Sequence, residues 1–457
     1  MSELTRVAVR MYQVGFGDCF LVSFEYDGPV PPGQRTERHM LIDFGRNRTP
    51  HFGGDLGQVA RSIKERTNGN LDVIVVSHRH EDHLSAFGQP AVSRIIGECN
   101  PRLIVRSWTE NPAADTNAGK PALAADRRYL DGMHAARAFA AQLAGGFSLD
   151  NTVAGRRLMT TAETDVANKA AVDQLTTWGT AARAEYLHYG VPTSIGTFIP
   201  GVRFEVVGPP LPSDFGEIAK QIDDHPDEFW HLWRQRLPMA LAGAASALAD
   251  PSADGATRIG RAQRAGRRRA EAPGDVGPVQ WLTDKIRHQQ VTSLLRIVRW
   301  LDDVMNNTSV VLLIKAGDRR LLFPGDAQYE SWKWATHASP RAKHNRRELA
   351  QVDLYKVGHH GSRNATPKSS LYNLWAPDQV PTRPVLSLMS TREDVYGESD
   401  DTDVPNPKLM TGLSSAPLRL LSTLQNPDKD DGILAIEVAA PAMGPGQFEV
   451  QAPVLRP

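Results

Sequence analysis

Two stretches dominated by β-branched and aromatic residues open the chain, Val7 to Tyr12 and Cys19 to Tyr26, separated by the turn Gly15-Phe16-Gly17-Asp18. This pattern predicts two strands joined by a short connection. After the Pro/Gly-rich segment Gly28 to Gly33 comes a short apolar run, Met40-Leu41-Ile42, ending in Asp43-Phe44-Gly45. Residues Asp55 to Thr67 predict a helix. Leu71 to Val76 is continuously apolar, the mark of a strand buried on both faces. The order strand, strand, helix, strand implies a sheet with helices packed on it.

The next part of the chain has a different period. Tyr129, Leu130, Met133, Ala136, Ala140 and Leu143 recur at helical spacing, and Ala162 to Trp178 predicts a second, alanine-rich helix. Strand patterns return at Ala184 to Tyr189 and Val202 to Val207, followed by helical composition from Phe215 to Leu248. Pro251 to Pro278 is rich in Gly, Ala and Arg, which can bury little and implies a surface loop. A helix over Ile286 to Val304 precedes strands at Ser309 to Lys315, Arg320 to Phe323, Tyr355 to Gly358, Val385 to Met389, Leu418 to Thr423 and Ile433 to Val438. No internal repeat of fixed period is present. The expected organisation is one α/β domain over residues 1–457, with a helical insertion at 110–183 and a helical, Arg-rich insertion at 211–283.

Composition narrows the class. With 52 Lys+Arg against 52 Asp+Glu in 457 residues, the balanced charge argues against a basic surface covering the whole protein. No apolar run approaches the roughly 18 residues of a membrane-spanning helix, and the first residues lack the layout of a secretion signal. A soluble, cytoplasmic protein is the expectation. Two cysteines exclude a disulfide scaffold and a four-thiolate zinc site. Cys19, within an apolar strand, and Cys99, beside Asn100-Pro101, have no setting that would make either a nucleophile.

The chemistry concentrates in Ser77-His78-Arg79-His80-Glu81-Asp82-His83, directly after the buried strand. Only 14 histidines occur in the whole chain, so this clustering points to metal binding. Imidazoles at i and i+2 on a loop can converge on one cation, while the Asp and the last His face a neighbouring position.

This pattern resembles the metallo-β-lactamase fold superfamily, and the resemblance extends past the motif. The superfamily has an early strand ending in Asp and Gly, matched by Leu41-Ile42-Asp43-Phe44-Gly45. It has the H-x-H-x-D-H loop, matched by His78, His80, Asp82 and His83. An apolar strand then Gly-Asp follows, matched by Leu321-Leu322-Phe323-Pro324-Gly325-Asp326, and a later strand ends in histidine, matched by Lys356-Val357-Gly358-His359-His360-Gly361-Ser362. A closer resemblance is to the hydrolase domain of ComEC-type DNA-uptake proteins. It rests on Val14 to Asp18, on Asn306 to Leu312, on the tetrapeptide His359 to Ser362 and on Asn406-Pro407-Lys408-Leu409. The likeness covers residues 7–90, 184–210 and 305–440.

The resemblance implies a four-layer αβ/βα sandwich and one or two divalent ions, zinc or manganese. The implied ligands are His78, His80, Asp82, His83, Asp326 and His360. Asp326 would bridge the ions, Asp82 would also orient water, and Asp43 would support the histidine loop. His360 is the expected ligand of its pair and His359 a wall residue. Many superfamily members carry a third histidine where this chain has Met305-Asn306-Asn307, which leaves Asn307 as a weaker oxygen donor. Asp18 faces the site or caps its turn, and Ser362 contacts a phosphate or stabilises its turn. The implied function is metal-dependent hydrolysis through an ion-activated hydroxide, phosphodiester cleavage in DNA or RNA foremost. Ester, lactone or thioester hydrolysis and a binding module with a degraded site are the alternatives. Six arginines between Arg258 and Arg269, among them Arg264, Arg267, Arg268 and Arg269, either neutralise phosphates or decorate a solvated loop. Phe229-Trp230-His231-Leu232-Trp233 is at helical spacing and reads as core.

Overall fold

The computed structural model describes residues 2–47, 55–111, 126, 130, 168–215, 305–392, 404–425 and 432–455. The chain divides into two compact units, Met1–Ala122 with Asn168–Arg234 and Val304–Pro457, and Leu123–Ala167 with Gln235–Asp303. Nearly all of the second unit lies outside the described residues. So do the helices expected at Tyr129 to Leu143 (Leu130 apart) and Ile286 to Val304, the helical stretch after Phe215, and every arginine from Arg258 to Arg269.

The first unit is a mixed α/β structure with two sheets. Its strands are β1 (Leu4–Tyr12), β2 (Cys19–Val30), β3 (Arg35–Phe44), β4 (Val73–Val75), β5 (Leu103–Ser107), β6 (Ala184–Leu187), β7 (Val202–Gly208), β8 (Val311–Ala316), β9 (Arg319–Phe323), β10 (Leu354–Lys356), β11 (Leu386–Met389), β12 (Arg419–Ser422), β13 (Ile433–Pro441), β14 (Glu449–Val450) and β15 (Val454–Leu455). Nine of them form one sheet in the order β14-β13-β1-β2-β3-β4-β5-β6, with β15 on β13, and six form the other, β12-β11-β10-β9-β8-β7. Both sheets mix antiparallel hairpins with a parallel part, β3 to β6 in the first and β9 to β12 in the second.

Side-chain alternation along the strands explains the packing. Met40 and Ile42 of β3 join Val22, Val75 and Val105 in a core that also holds Leu312, Ile314, Phe323, Leu354 and Leu388 of the second sheet. Leu41, on the opposite face, packs with Ile74 and Ile104 against the helices α1 (Leu56–Arg66), α3 (Pro90–Gly97) and α4 (Lys169–Ala181) through Leu56, Val59, Ile63, Ile96 and Leu175. On the outer face of the second sheet, Leu313, Leu322 and Tyr355 meet Trp332, Leu349, Trp375 and Leu409. Trp332 lies on α6 (Tyr329–Lys333), Leu349 on α7 (Ala342–Leu349) and Leu409 on α8 (Pro407–Leu413). Two shorter helices are α2 (Glu81–Leu84) and α5 (Ile195–Phe198). Each fully buried Leu, Ile or Phe contributes about 1.5–3 kcal/mol, so the register of every strand is fixed by these faces. Among the described residues no helix is long and apolar enough to cross a membrane.

The parallel register sets the position of the site. Pairing Ile42 with Val75 brings Asp43, near the end of β3, beside Ser77, just past the end of β4. Pairing Leu354 with both Leu321 and Leu386 brings the segments after β9, β10 and β11 to one edge of the second sheet. Open parallel sheets place their ligand sites at such carboxyl ends.

Candidate metal centre

Asp43, one residue before the end of β3, is in the left-handed region, at φ 55°, and its carboxylate meets the segment after β4. Oδ1 accepts the Ser77 amide at 2.7 Å, and Oδ2 accepts the Ser77 hydroxyl and His83 Nδ1, each at 2.8 Å. The histidine loop is thus held from behind by one carboxylate. Gly45 lets the loop come close: a Cβ there would fall 2.4 Å from the Glu81 carbonyl oxygen and 2.6 Å from the His83 nitrogen. The chain bends at His78 and Arg79 and is extended at His80, and α2 starts at Glu81, so Asp82 and His83 stand on the first helical turn.

The second sheet supplies the opposite wall. Gly325 adopts φ 58° and packs against Ser77, where a Cβ would lie 2.6 Å from the Ser77 Cβ. Asp326 then points inward, its amide donating to Ser309 Oγ at 3.1 Å. After β10 the backbone makes a left-handed turn through His359 (φ 47°), His360 (φ 51°) and Gly361 (φ 89°). Left-handed backbone costs a non-glycine residue about 1–2 kcal/mol, and two bonds hold this turn. The His359 amide donates to Asp326 Oδ1 at 3.0 Å, and His360 Nδ1 donates to the Ser390 carbonyl at 2.8 Å.

These bonds fix the imidazole tautomers. His83 gives its Nδ1 proton to Asp43 and His360 gives its own to Ser390, so in neutral rings both Nε2 lone pairs face the site. There His83 Nε2 lies 3.1 Å from Asp326 Oδ2 and 3.8 Å from Asp82 Oδ1. His360 Nε2 lies 3.0 Å from Asp82 Oδ2 and 4.0 Å from Asp326 Oδ2. Lone pairs aimed at carboxylate oxygens repel unless a positive charge sits between them. The acid–base properties agree. Burial disfavours the charged forms of His83 and His360, yet both pKa values are raised: Asp326, Asp43 and Asp82 outweigh burial at His83, and Asp18, Asp82 and Asp326 do so at His360. Burial likewise opposes ionisation of Asp82 and Asp326, and both pKa values are nevertheless lowered, chiefly by His83 and by His360 or Lys356. In this state a proton fills the place that a cation would take. A tetrahedral shell of N and O donors at about 2.0–2.1 Å has neighbours about 3.3 Å apart, within the spread of separations found here. The donor set fits a divalent ion.

His78 and His80 form the flank of this group. Ser77 Oγ lies 3.1 Å from His78 Nδ1, and His78 Nε2 lies 2.8 Å from His80 Nδ1. The His78 and His83 rings are 4.2 Å apart between centroids. Burial and the neighbouring His83 and His80 hold the His78 pKa well below its ordinary value, so this ring is a neutral donor.

Asp18, His83, Asp326 and His360, all buried, offer ligand atoms within 4.8 Å of one another, and such a cluster could bind a metal ion. Asp18 nevertheless stands apart chemically from the other three. Its oxygens approach the Nδ1 atoms of His83 (3.5 Å) and His360 (3.6 Å), the nitrogens already committed to Asp43 and Ser390. Its carboxylate contacts the Lys356 ammonium instead. Asp82 approaches the same rings from the Nε2 side, as a further oxygen donor.

Other residues singled out from the sequence have different surroundings. The Asn307 amide is spent on the segment after β9: it donates to Glu330 Oε2 at 2.9 Å and accepts from the Gln328 amide and the Ser331 hydroxyl, each at 3.2 Å. Asn307 thus braces the segment after β9. His359 contributes its backbone amide. The Ser362 hydroxyl donates to Asn364 Oδ1 at 3.2 Å, within its own turn. Asn406 caps α8, its side-chain oxygen accepting the Lys408 and Leu409 amides. Lys356 and the Ser390 carbonyl received no role from the sequence. Comparison of the chain with protein-family models and with curated proteins gives no match.

Proposed function

We propose that the protein is a metal-dependent hydrolase of the metallo-β-lactamase type, acting on phosphodiesters. One observation carries this reading: the imidazoles and carboxylates of the loop holding His78, His80, Asp82 and His83 lie against Asp326 and His360, the pair Asp82 and His360 meeting across 278 residues, at the carboxyl ends of two sheets. The order of the cores, helices on each outer face and a shared apolar layer between the sheets, supports the four-layer sandwich. Bound there, divalent zinc or manganese ions supply Lewis acidity and bring the pKa of water towards neutrality.

The chain's own residues do the rest. Asp43 and the Ser390 carbonyl hold His83 and His360 in the tautomer that presents Nε2. Asp326 presents one oxygen between the histidine loop and His360. Asp82, within reach of His360 and His83, would orient an attacking water. The phosphodiester assignment rests on the ComEC-like segments around Asp18, Asn306 and His359 to Ser362. The test is metal analysis of the purified protein together with cleavage of bis-p-nitrophenyl phosphate and of single-stranded DNA. About one or two ions per chain and cleavage abolished by Asp326→Ala are expected. Well under one ion per chain and no cleavage of any ester would overturn the reading, and cleavage of carboxylic esters alone would move it to the ester, lactone or thioester class.

A further inference from the structure

Lys356 ends β10 with its side chain 2% exposed, between the site and the core. A buried ammonium must find acceptors for its protons. Its three are the Asp18 carboxylate, Asp326 Oδ1 at 3.3 Å and the Gly325 carbonyl at 3.2 Å. The His359 amide donates to the same Asp326 Oδ1 at 3.0 Å. Asp326 therefore has one oxygen committed to two donors and the other, Oδ2, directed at His83 and His360. Asp18, fully buried, lies close enough to His83 and His360 to join a metal shell, and Lys356 engages it from the other side.

We infer that Lys356 is a positioning residue that decides which carboxylate oxygens reach the metal: one from Asp326 and none from Asp18. This rests on the metal-binding reading above. With Lys356 in place the shell of His83, His360, Asp326 and Asp82 holds two imidazoles and two carboxylates, a composition suited to four-coordinate zinc, whereas two added carboxylate oxygens would enlarge it towards the oxygen-rich shells that suit manganese or magnesium. Lys356 touches neither substrate nor metal, and its fixed charge also offsets one of the clustered carboxylates.

The experiment loads the apoprotein with Co2+ and records its visible spectrum alongside a Zn2+/Mn2+ competition. Wild type is expected to bind Co2+ with the intense absorption of four-coordinate cobalt. Lys356→Met is expected to bind it with the weak bands of a higher-coordinate ion and to shift the Mn2+/Zn2+ preference about tenfold towards Mn2+. Adding Asp18→Asn to Lys356→Met should recover much of the four-coordinate absorption. An unchanged spectrum and preference in Lys356→Met overturns the inference while leaving the metal centre standing, whereas a wild type that takes up no Co2+ or Zn2+ sinks the metal reading itself. Should Lys356→Met not fold, Asp18→Asn alone decides. Retained Co2+ stoichiometry and band shape support Asp18 as a non-ligand, and lost stoichiometry or a new band shape makes Asp18 a ligand and refutes the inference.

Discussion

Asp43→Asn separates metal support from bulk stability with one atom. In the wild type, Asp43 Oδ2 accepts both the Ser77 hydroxyl and His83 Nδ1 at 2.8 Å, and Oδ1 accepts the Ser77 amide at 2.7 Å. The Ser77 amide can keep an oxygen partner, so the new NH2 group takes the Oδ2 position. Ser77 Oγ can rotate and accept from it. His83 Nδ1 cannot remain a donor there, so its proton shifts to Nε2, into the place of the ion. Losing such support behind a ligating histidine typically weakens metal binding 10–100-fold, about 1.4–2.7 kcal/mol. The buried charge-assisted bonds lost add about 1.5–3 kcal/mol of folding free energy. Zinc affinity measured by competition with a chromophoric chelator, beside denaturant unfolding of the metal-free protein, separates the two effects. An Asp43→Asn protein that binds zinc as tightly as wild type would refute the tautomer argument, whatever its stability.

Other perturbations report on neighbouring claims. Gly45→Ala drives a Cβ into the backbone of α2 and is expected to cost more than about 2 kcal/mol together with metal content; a folded variant with full metal occupancy argues against the close packing. Asn307→Ala should lower stability by about 1–3 kcal/mol, since it removes buried hydrogen bonds to Glu330, Gln328 and Ser331, yet leave the ions per chain unchanged, and metal loss at native stability would make Asn307 a ligand. His359→Gly removes left-handed strain and should stay within about 1 kcal/mol of wild type with metal retained, whereas His360→Ala should lose it; the reverse pattern would exchange the roles of the pair. Burial, reinforced by Arg66, Arg35, Arg10 and Arg38, lowers the His39 pKa from 6.5 to about 3. Because the folded value lies below the unfolded one, its stabilisation is present above pH 6.5 and is lost as pH falls from there towards 3, on the order of 5 kcal/mol in full. Denaturant unfolding of wild type and His39→Gln at neutral and acid pH checks this, and parallel losses in both proteins would contradict it.

The parts of the centre legible in the sequence are the ones whose spacing is local. His78, His80, Asp82 and His83 share one loop, and Asp43, Asp326 and His360 each follow an apolar run within a few residues, so strand ends could be read directly. Sheet pairing, by contrast, is non-local. Strand β5 went unrecognised because Leu103–Ser107 ends in Arg106 and Ser107, polar residues that the structure buries. Lys356 did leave a signal: a lone lysine in Leu354-Tyr355-Lys356-Val357, where a buried charge requires a partner. What the sequence could not provide was the partner, Asp18, more than three hundred residues earlier. Asn307 stayed ambiguous for the opposite reason, since a side-chain amide suits a metal shell and a loop brace equally well, and the sequence does not show its neighbours Glu330, Gln328 and Ser331.

The left-handed turn that carries His360 is completed by an acceptor at residue 390, just past β11. During synthesis, then, a chain emerging from the ribosome carries the histidine loop for some three hundred residues before its last partner exists. Any metal ion bound there would find only half of its cage before that point, so tight capture would belong to the finished protein, closing late over two sheets already joined.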